Sequence, residues 1–230
     1  MPGESVAARK RRAARIVRGL ARAYPDADCA LNFRSSFELL MATILSAQCT
    51  DAKVNEVTAV LFERYPTAEA LADASPSELE AIVRPTGFYR QKAKSLLASS
   101  RDIVEKFGGE VPGTMENLTT LRGVARKTAN VVLGNCFGVP GLAVDTHMKR
   151  VHQRLRLTAH DEPDKIEMEL MDLVPRTQWT AHTHRVIHHG RVCCVARRPR
   201  CEACPVRDDC PWPDRASAAK PVARRHRARR

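Results

Sequence analysis

The sequence predicts an all-α fold. Apolar residues recur at helical spacing along most of its 230 residues, and the period-2 alternation of half-buried strands is scarce. Start and stop signals bracket the periodic stretches. Ile16, Val17 and Leu20 form the stripe of a first helix over 9–24. Ser35 opens the next, with Glu38 as its capping-box partner and Phe37, Leu40, Met41, Ile44 and Leu45 on one face. Ser75–Pro76–Ser77–Glu78 starts another; Leu79, Ile82 and Val83 carry its stripe and Pro85–Thr86–Gly87 ends it. A longer helix over 91–107 stops at Gly108–Gly109. Segments 114–121 and 127–137 flank a short turn at Arg122–Gly123–Val124–Ala125–Arg126, and helices over 145–157, 163–174 and 179–189 complete the set.

The formal charge of +12 points to a polyanionic partner whose binding weakens steeply with salt. Aromatic residues make up only 5% of the chain, which argues against binding single strands by many stacked bases. No apolar run is long enough to cross a bilayer. The basic cluster Arg9, Lys10, Arg11 and Arg12 lacks the apolar block of a secretory signal, and it reads as part of the first helix rather than as an organelle transit peptide. Residues 214–230, rich in Ala, Arg and Pro, read as a disordered basic tail.

Of eight cysteines, Cys29, Cys49 and Cys136 lie in apolar, helix-like stretches and read as buried, inert thiols. The other five crowd between Cys193 and Cys210, which without an export signal suggests a metal site before a disulfide framework. The spacing is Cys194-x6-Cys201-x2-Cys204-x5-Cys210. Common zinc sites use two Cys-x2-Cys hooks separated by a longer loop. One hook flanked by single cysteines favours a [4Fe–4S] cluster instead, with Cys193 as a spare, non-ligating thiol. The loop between the first two ligands carries Arg197, Arg198 and Arg200. Pinned at both ends, it can present them to phosphates, and it can equally balance the cluster's negative charge.

The turn at residues 122–126 leads into a helix N-terminus, whose free backbone N–H groups can grip a phosphate. Lys127 follows in the first helical turn. There the helix dipole and the neighbours Arg122 and Arg126 disfavour the ammonium form, so a neutral amine able to attack a carbon electrophile is within reach. A phosphate-binding lysine is the competing reading. Asp145, after the Pro140–Gly141 break, suits an N-cap, and a carboxylate there can also stabilise a cationic sugar. His182, His184, His188 and His189 have the ordinary spacing of a helix that happens to carry histidines.

These features fall in one order with Leu31–Asn32–Phe33, Ser46–Ala47–Gln48, Thr50–Asp51, Gly87–Phe88–Tyr89 and Gly108–Gly109–Glu110–Val111–Pro112. Arg126–Lys127–Thr128–Ala129–Asn130–Val131–Val132, Val144–Asp145–Thr146–His147 and His189–Gly190–Arg191 follow, ahead of the cysteines. From about Leu31 to Cys210 the chain resembles the endonuclease III family of helix–hairpin–helix DNA glycosylases. The resemblance implies two helical lobes: a six-helix barrel over 29–139, and a cluster lobe over 140–213 with which the segment 1–28 packs, leaving 214–230 as the tail. It makes Lys127 the nucleophile and Asp145 the second catalytic residue. Gln48 would fill the hole left by a flipped nucleotide, and Phe88 falls near the intercalating wedge.

The implied enzyme is a monomer that acts on double-stranded DNA in the cytoplasm, at the nucleoid. It removes oxidised pyrimidines through a lysine imine and cuts abasic sites by β-elimination, with the cluster as scaffold. In the hairpin Arg122, Gly123, Val124, Ala125 and Arg126 would meet the DNA backbone, but Arg122 replaces the family's proline and Ala125 its second glycine. If that backbone needs a positive φ, alanine costs about 1 kcal/mol, and Ala125→Gly is then expected to change DNA affinity without changing the chemistry. An adenine-mismatch glycosylase would lack a lysine nucleophile at this position. A non-catalytic iron–sulfur or redox-sensing module would have no need of the Lys127–Asp145 pair, and a zinc-stabilised DNA-binding protein is opposed by the cysteine spacing.

Overall fold

A computed structural model of the protein describes residues 4–212 and contains helices and turns, with no strand among the described residues. In chain order the helices are α1 (Val6–Ala23), α2 (Ser36–Leu45), α3 (Asp51–Arg64), α4 (Ala68–Ala72), α5 (Pro76–Val83), α6 (Tyr89–Phe107) and α7 (Met115–Leu118). They continue with α8 (Arg126–Cys136), α9 (Thr146–Arg154), α10 (Pro163–Met171) and α11 (Trp179–Val192), and 3-10 turns at Cys201–Ala203 and Arg207–Asp209 follow. None is long and apolar enough to cross a membrane. The expected tail at 214–230 lies outside the described residues.

Local chemistry accounts for most boundaries. Ser35 Oγ accepts from Glu38 N at 3.2 Å, while the Glu38 carboxylate reaches back one residue further than a capping box requires, to Arg34 N at 2.6 Å. Gly108, at φ 63°, lets Gly109 N donate to Ile103 O at 3.0 Å and end α6. The segment expected as a helix over 114–121 holds only one turn, α7, because its last residues already belong to the hairpin. Helices α3 and α4 go beyond the starts read from sequence. Thr50 caps α3, whose Val54, Val57 and Leu61 are buried.

The buried apolar residues form two cores. One is built from α2–α8 and runs from Leu31 to Leu133. The second joins Ala13, Ile16, Val17 and Leu20 of α1 to residues between Leu142 and Val206. Ile16 and Leu20 are completely buried, each contributing on the order of 1.5–3 kcal/mol, and this carries the N-terminal helix across to the C-terminal half. Arg12 secures it: bidentate to Glu4 at 2.8 Å, it also donates to Leu155 O at 2.6 Å and Asp209 O at 3.3 Å.

Candidate active site and thiol cluster

The hairpin is moulded to the underside of α6. Gly123 has φ 83°, and a Cβ there would stand 3.0 Å from Ser95 Cβ, so both conformation and space demand glycine. Ser99 Oγ donates to Arg122 O at 2.7 Å. Val124 is buried in the first core and its N–H is spent within the turn, on Leu121 O at 3.1 Å. That amide is therefore not free for the phosphate expected of it. The positive φ that would make Ala125 costly is absent: at φ −91° and ψ 170° it is extended, as an N-cap should be, and carries no strain. Arg122 is exposed, whereas Arg126 turns to Glu167 of α10 in a bidentate pair at 2.9 and 2.8 Å.

Lys127, on the exposed first turn of α8, and Asp145 line a single cavity of about 170 Å³. They reach it from opposite sides, because α8 belongs to the first core while Asp145 opens α9 of the second. Asp145 is the cap that the sequence suggests: its Oδ1 accepts from Met148 N at 2.7 Å. That bond takes one carboxylate oxygen. Desolvation holds the neighbouring His147 imidazole below its ordinary pKa, while the Asp145 charge opposes the shift. Sequence reading left several lining residues unassigned, including Asp28, Asp51, His184 and Arg191. Arg191 and Asp51 close across the rim at 2.5 Å, a pairing 140 residues apart that no local pattern reveals.

Gln48 and Phe88 are exposed at the tips of two loops, Phe88 at 68%. Both are held in left-handed backbone, at φ 53° and 47°; Arg198 (φ 55°) and Arg156 (φ 49°) are the other such non-glycine residues described. Strained backbone of this kind persists where the fold over-determines it, commonly at functional sites. Arg156 has a plain structural reason, as the residue after α9 whose N–H returns to Gln153 O. Arg197, Arg198 and Arg200 are all exposed on one loop.

That loop leads into the cysteines. Cys194, Cys201, Cys204 and Cys210 line one cavity walled by Val151, Leu155, Pro199, Val206 and Trp212. A cation faces the sulfurs: Arg154 Nη1 is 3.3 Å from Cys194 Sγ, and His189 Nε2 lies 3.9 Å from Cys204 Sγ. Soft donors in an apolar wall, with N–H groups aimed at them, suit thiolates bonded to iron. Burial pushes the Cys210 thiol up to about 11, so metal binding must displace its proton. The ligand atoms of Cys193 and His189 also lie within 4.8 Å of Cys204, so the thiol expected to be spare sits beside the four. The other three cysteines are half-buried rather than fully enclosed.

Arg154 frames this segment from α9. It donates to Val195 O and Ala196 O at 2.8 Å each and lies 5.0 Å from the Trp212 ring. Of the α11 histidines, His182 serves packing: its Nε2 meets His152 Nε2 of α9 at 3.0 Å, and both rings are completely buried.

Residues 41–176 match the HhH-GPD superfamily of base excision DNA repair proteins, and residues 194–210 match the iron–sulfur binding domain of endonuclease III. The second match begins at Cys194 and ends at Cys210, leaving Cys193 outside. Endonuclease III of Synechocystis sp. is 50% identical over 207 residues, 90% of this chain and 94% of the relative. A solved non-covalent endonuclease III–DNA complex superposes with a TM-score of 0.87 at 41% identity, covering 91% of this chain and 98% of the other. A trapped endonuclease III–DNA covalent intermediate gives the same TM-score and identity, covering 90% and 98%. The chain belongs to the endonuclease III family and is an iron–sulfur DNA glycosylase and AP lyase of base excision repair.

Proposed function

We propose that this enzyme removes oxidised pyrimidines from double-stranded DNA as a cytoplasmic monomer, with Lys127 as nucleophile and Asp145 as electrostatic partner. One observation carries the assignment: the two side chains come from separate cores and line a single cavity. The relative trapped as a covalent DNA intermediate supports an enzyme-bound nucleophile in this fold.

A damaged nucleotide that stacks poorly is flipped from the duplex at reduced cost. Gln48 and Phe88, exposed on loops with defined backbone, fill and wedge the gap it leaves. Covering the cavity with DNA excludes water from the reaction at Lys127. The amine attacks C1′ and the oxidised base departs with the bonding electron pair. Asp145 stabilises the positive charge that develops on the sugar. The C1′–nitrogen adduct loses a proton and the C1′–O4′ bond breaks, opening the sugar ring to an imine and leaving O4′ as a hydroxyl. The imine acidifies the C2′ proton, and β-elimination expels the 3′ phosphate and breaks the strand on the 3′ side.

Phosphate contacts come from Arg122 and the amides of Gly123, Ala125 and Arg126 at the hairpin, and from Arg197, Arg198 and Arg200. Cys194, Cys201, Cys204 and Cys210 would hold a [4Fe–4S] cluster, which supplies the cross-links that fix the arginine loop. Two separate cores support a division into functional lobes over 29–139 and 140–213, with 1–28 joined to the second.

Borohydride trapping on a duplex containing an abasic site tests the assignment. Wild type is expected to form a covalent adduct and Lys127→Ala none. An adduct that persists in Lys127→Ala, or no adduct from wild type with an intact cluster, rejects it.

A further inference from the structure

A single buried carboxylate ties the two sides of the cavity together. Glu167 of α10 is 5% exposed and packs in the second half of the molecule. It takes three bonds from α8. Arg126 Nε reaches Oε2 at 2.9 Å, Arg126 Nη2 reaches Oε1 at 2.8 Å, and Asn130 Nδ2 reaches Oε1 at 3.1 Å. Arg126 and Asn130 are one helical turn apart and share a face. Lys127 sits between them in sequence, beside the clamped arginine.

The same Asn130 amide extends the link. Its Nδ2 also donates to Leu142 O at 3.2 Å, three residues before Asp145. Backbone and amide lie so close here that a Cβ on Gly141 would stand 2.6 Å from Asn130 Oδ1. Asn130 of α8, the helix that carries Lys127, therefore bonds directly to the segment that delivers Asp145, and Glu167 of α10 holds both the Asn130 amide and the Arg126 guanidinium in place.

We propose that Glu167 is a positioning residue for base removal, setting the reach between Lys127 and Asp145 through Arg126 and Asn130 without touching DNA. The inference deepens the proposed roles of Lys127 and Asp145 and rests on them. A bidentate guanidinium–carboxylate pair fixes orientation as well as distance. Base removal requires attack on C1′ and support of the departing base at the same moment, so it depends on both groups being in register. Imine formation at a preformed abasic site needs only Lys127 and an aldehyde. Losing the clamp should therefore damage the first reaction far more than the second. A residue that serves folding alone would lower both together.

Single-turnover rates of the cluster-loaded enzyme separate these cases, measured on a duplex with one thymine glycol and on the same duplex with an abasic site. Glu167→Ala is expected to slow base removal about 30–100-fold, the scale of an ångström of misplacement, and abasic-site cleavage by less than about 5-fold. Glu167→Gln keeps an acceptor for Asn130 and one Arg126 N–H, and should recover part of the loss. Asn130→Ala, which leaves the Arg126 pair intact, should show the same selective loss at smaller size. If Glu167→Ala does not fold, these two milder variants carry the test. Equal losses on both substrates, or no loss on either, overturn the proposal. Unaffected Glu167 and Asn130 variants alongside a Lys127-dependent adduct reject this inference alone; a wild type that forms no adduct removes the catalytic assignment and this inference with it.

Discussion

The hairpin at 121–130 and the cysteine segment at 194–210 are both proposed to meet phosphate, yet opposite means hold them in shape. The hairpin is fixed by packing. Leu121 and Val124 are buried in the first core, Gly123 lies against Ser95, and Ser99 bonds to Arg122 O. The cysteine segment buries only Val206 and has two 3-10 turns for regular structure. It is held from outside by guanidinium groups, Arg154 on Val195 O and Ala196 O and Arg12 on Asp209 O, with the cluster expected to supply the rest. The contrast shows that one chain can fix one loop by apolar burial and another by cations and cross-links.

Removing the cluster should expose the largest difference. Metal binding to a structural thiolate site is folding free energy, on the order of 10 kcal/mol in small zinc domains, and little else orders this segment. Hydrogen exchange of the iron-stripped protein should show 194–210 exchanging freely while the amides of α8 keep their protection. Equal loss in both places would mean that the hairpin also depends on the cluster.

Acid should loosen the frame under the cysteines before it touches the hairpin. His152 Nδ1 is 2.8 Å from Met148 O and must donate, so its Nε2 accepts from His182 and both rings are neutral. Burial lowers His152 to about 4 and takes His182 well below its usual value. The unfolded chain therefore takes up protons first as pH falls through 6.5, and stability present above that pH is lost on the way to about 4. Each imidazole contributes a slope of about 1.4 kcal/mol per pH unit in that window. Thermal melts of wild type and His182→Phe across pH 7 to 4.5 measure it; a variant with the same acid slope as wild type would remove the pair as the cause.

The smallest effects compare two hairpin neighbours. Gly123→Ala meets both a positive φ and the Ser95 side chain and should cost about 2 kcal/mol. Ala125→Gly releases no strain, because φ is −91°. Glycine is the better N-cap but frees the unfolded chain, so these effects oppose and should leave stability within about 0.5 kcal/mol. A clear gain from Ala125→Gly would show that the bound hairpin needs a backbone that alanine resists.

The sequence makes the cysteine segment more legible than the hairpin's surroundings. Ligand spacing is local, so Cys194 to Cys210 are visible in seventeen residues and the two ends match the family domain. Helix caps at Ser35 and Asp145 are local too, and both are found in place. Arg126 illustrates what is hidden. Its side chain is basic, next to the proposed nucleophile and well placed for phosphate, but its partner Glu167 lies 41 residues away on a different helix. The Arg191–Asp51 pair at the cavity rim is hidden for the same reason. The proline and glycine missing from the hairpin leave the strain at Ala125 open, because sequence shows the substitution and not the φ angle that decides its cost.

In the proposed reaction Lys127 Nζ bonds to the sugar C1′ in a covalent intermediate on DNA. Peptide mapping of the borohydride-reduced adduct by mass spectrometry tests it most directly. A sugar remnant is expected on the Nζ of Lys127 and on no other lysine, and is lost when Lys127 is replaced. A remnant on another lysine, or on the N-terminal amine, would contradict it.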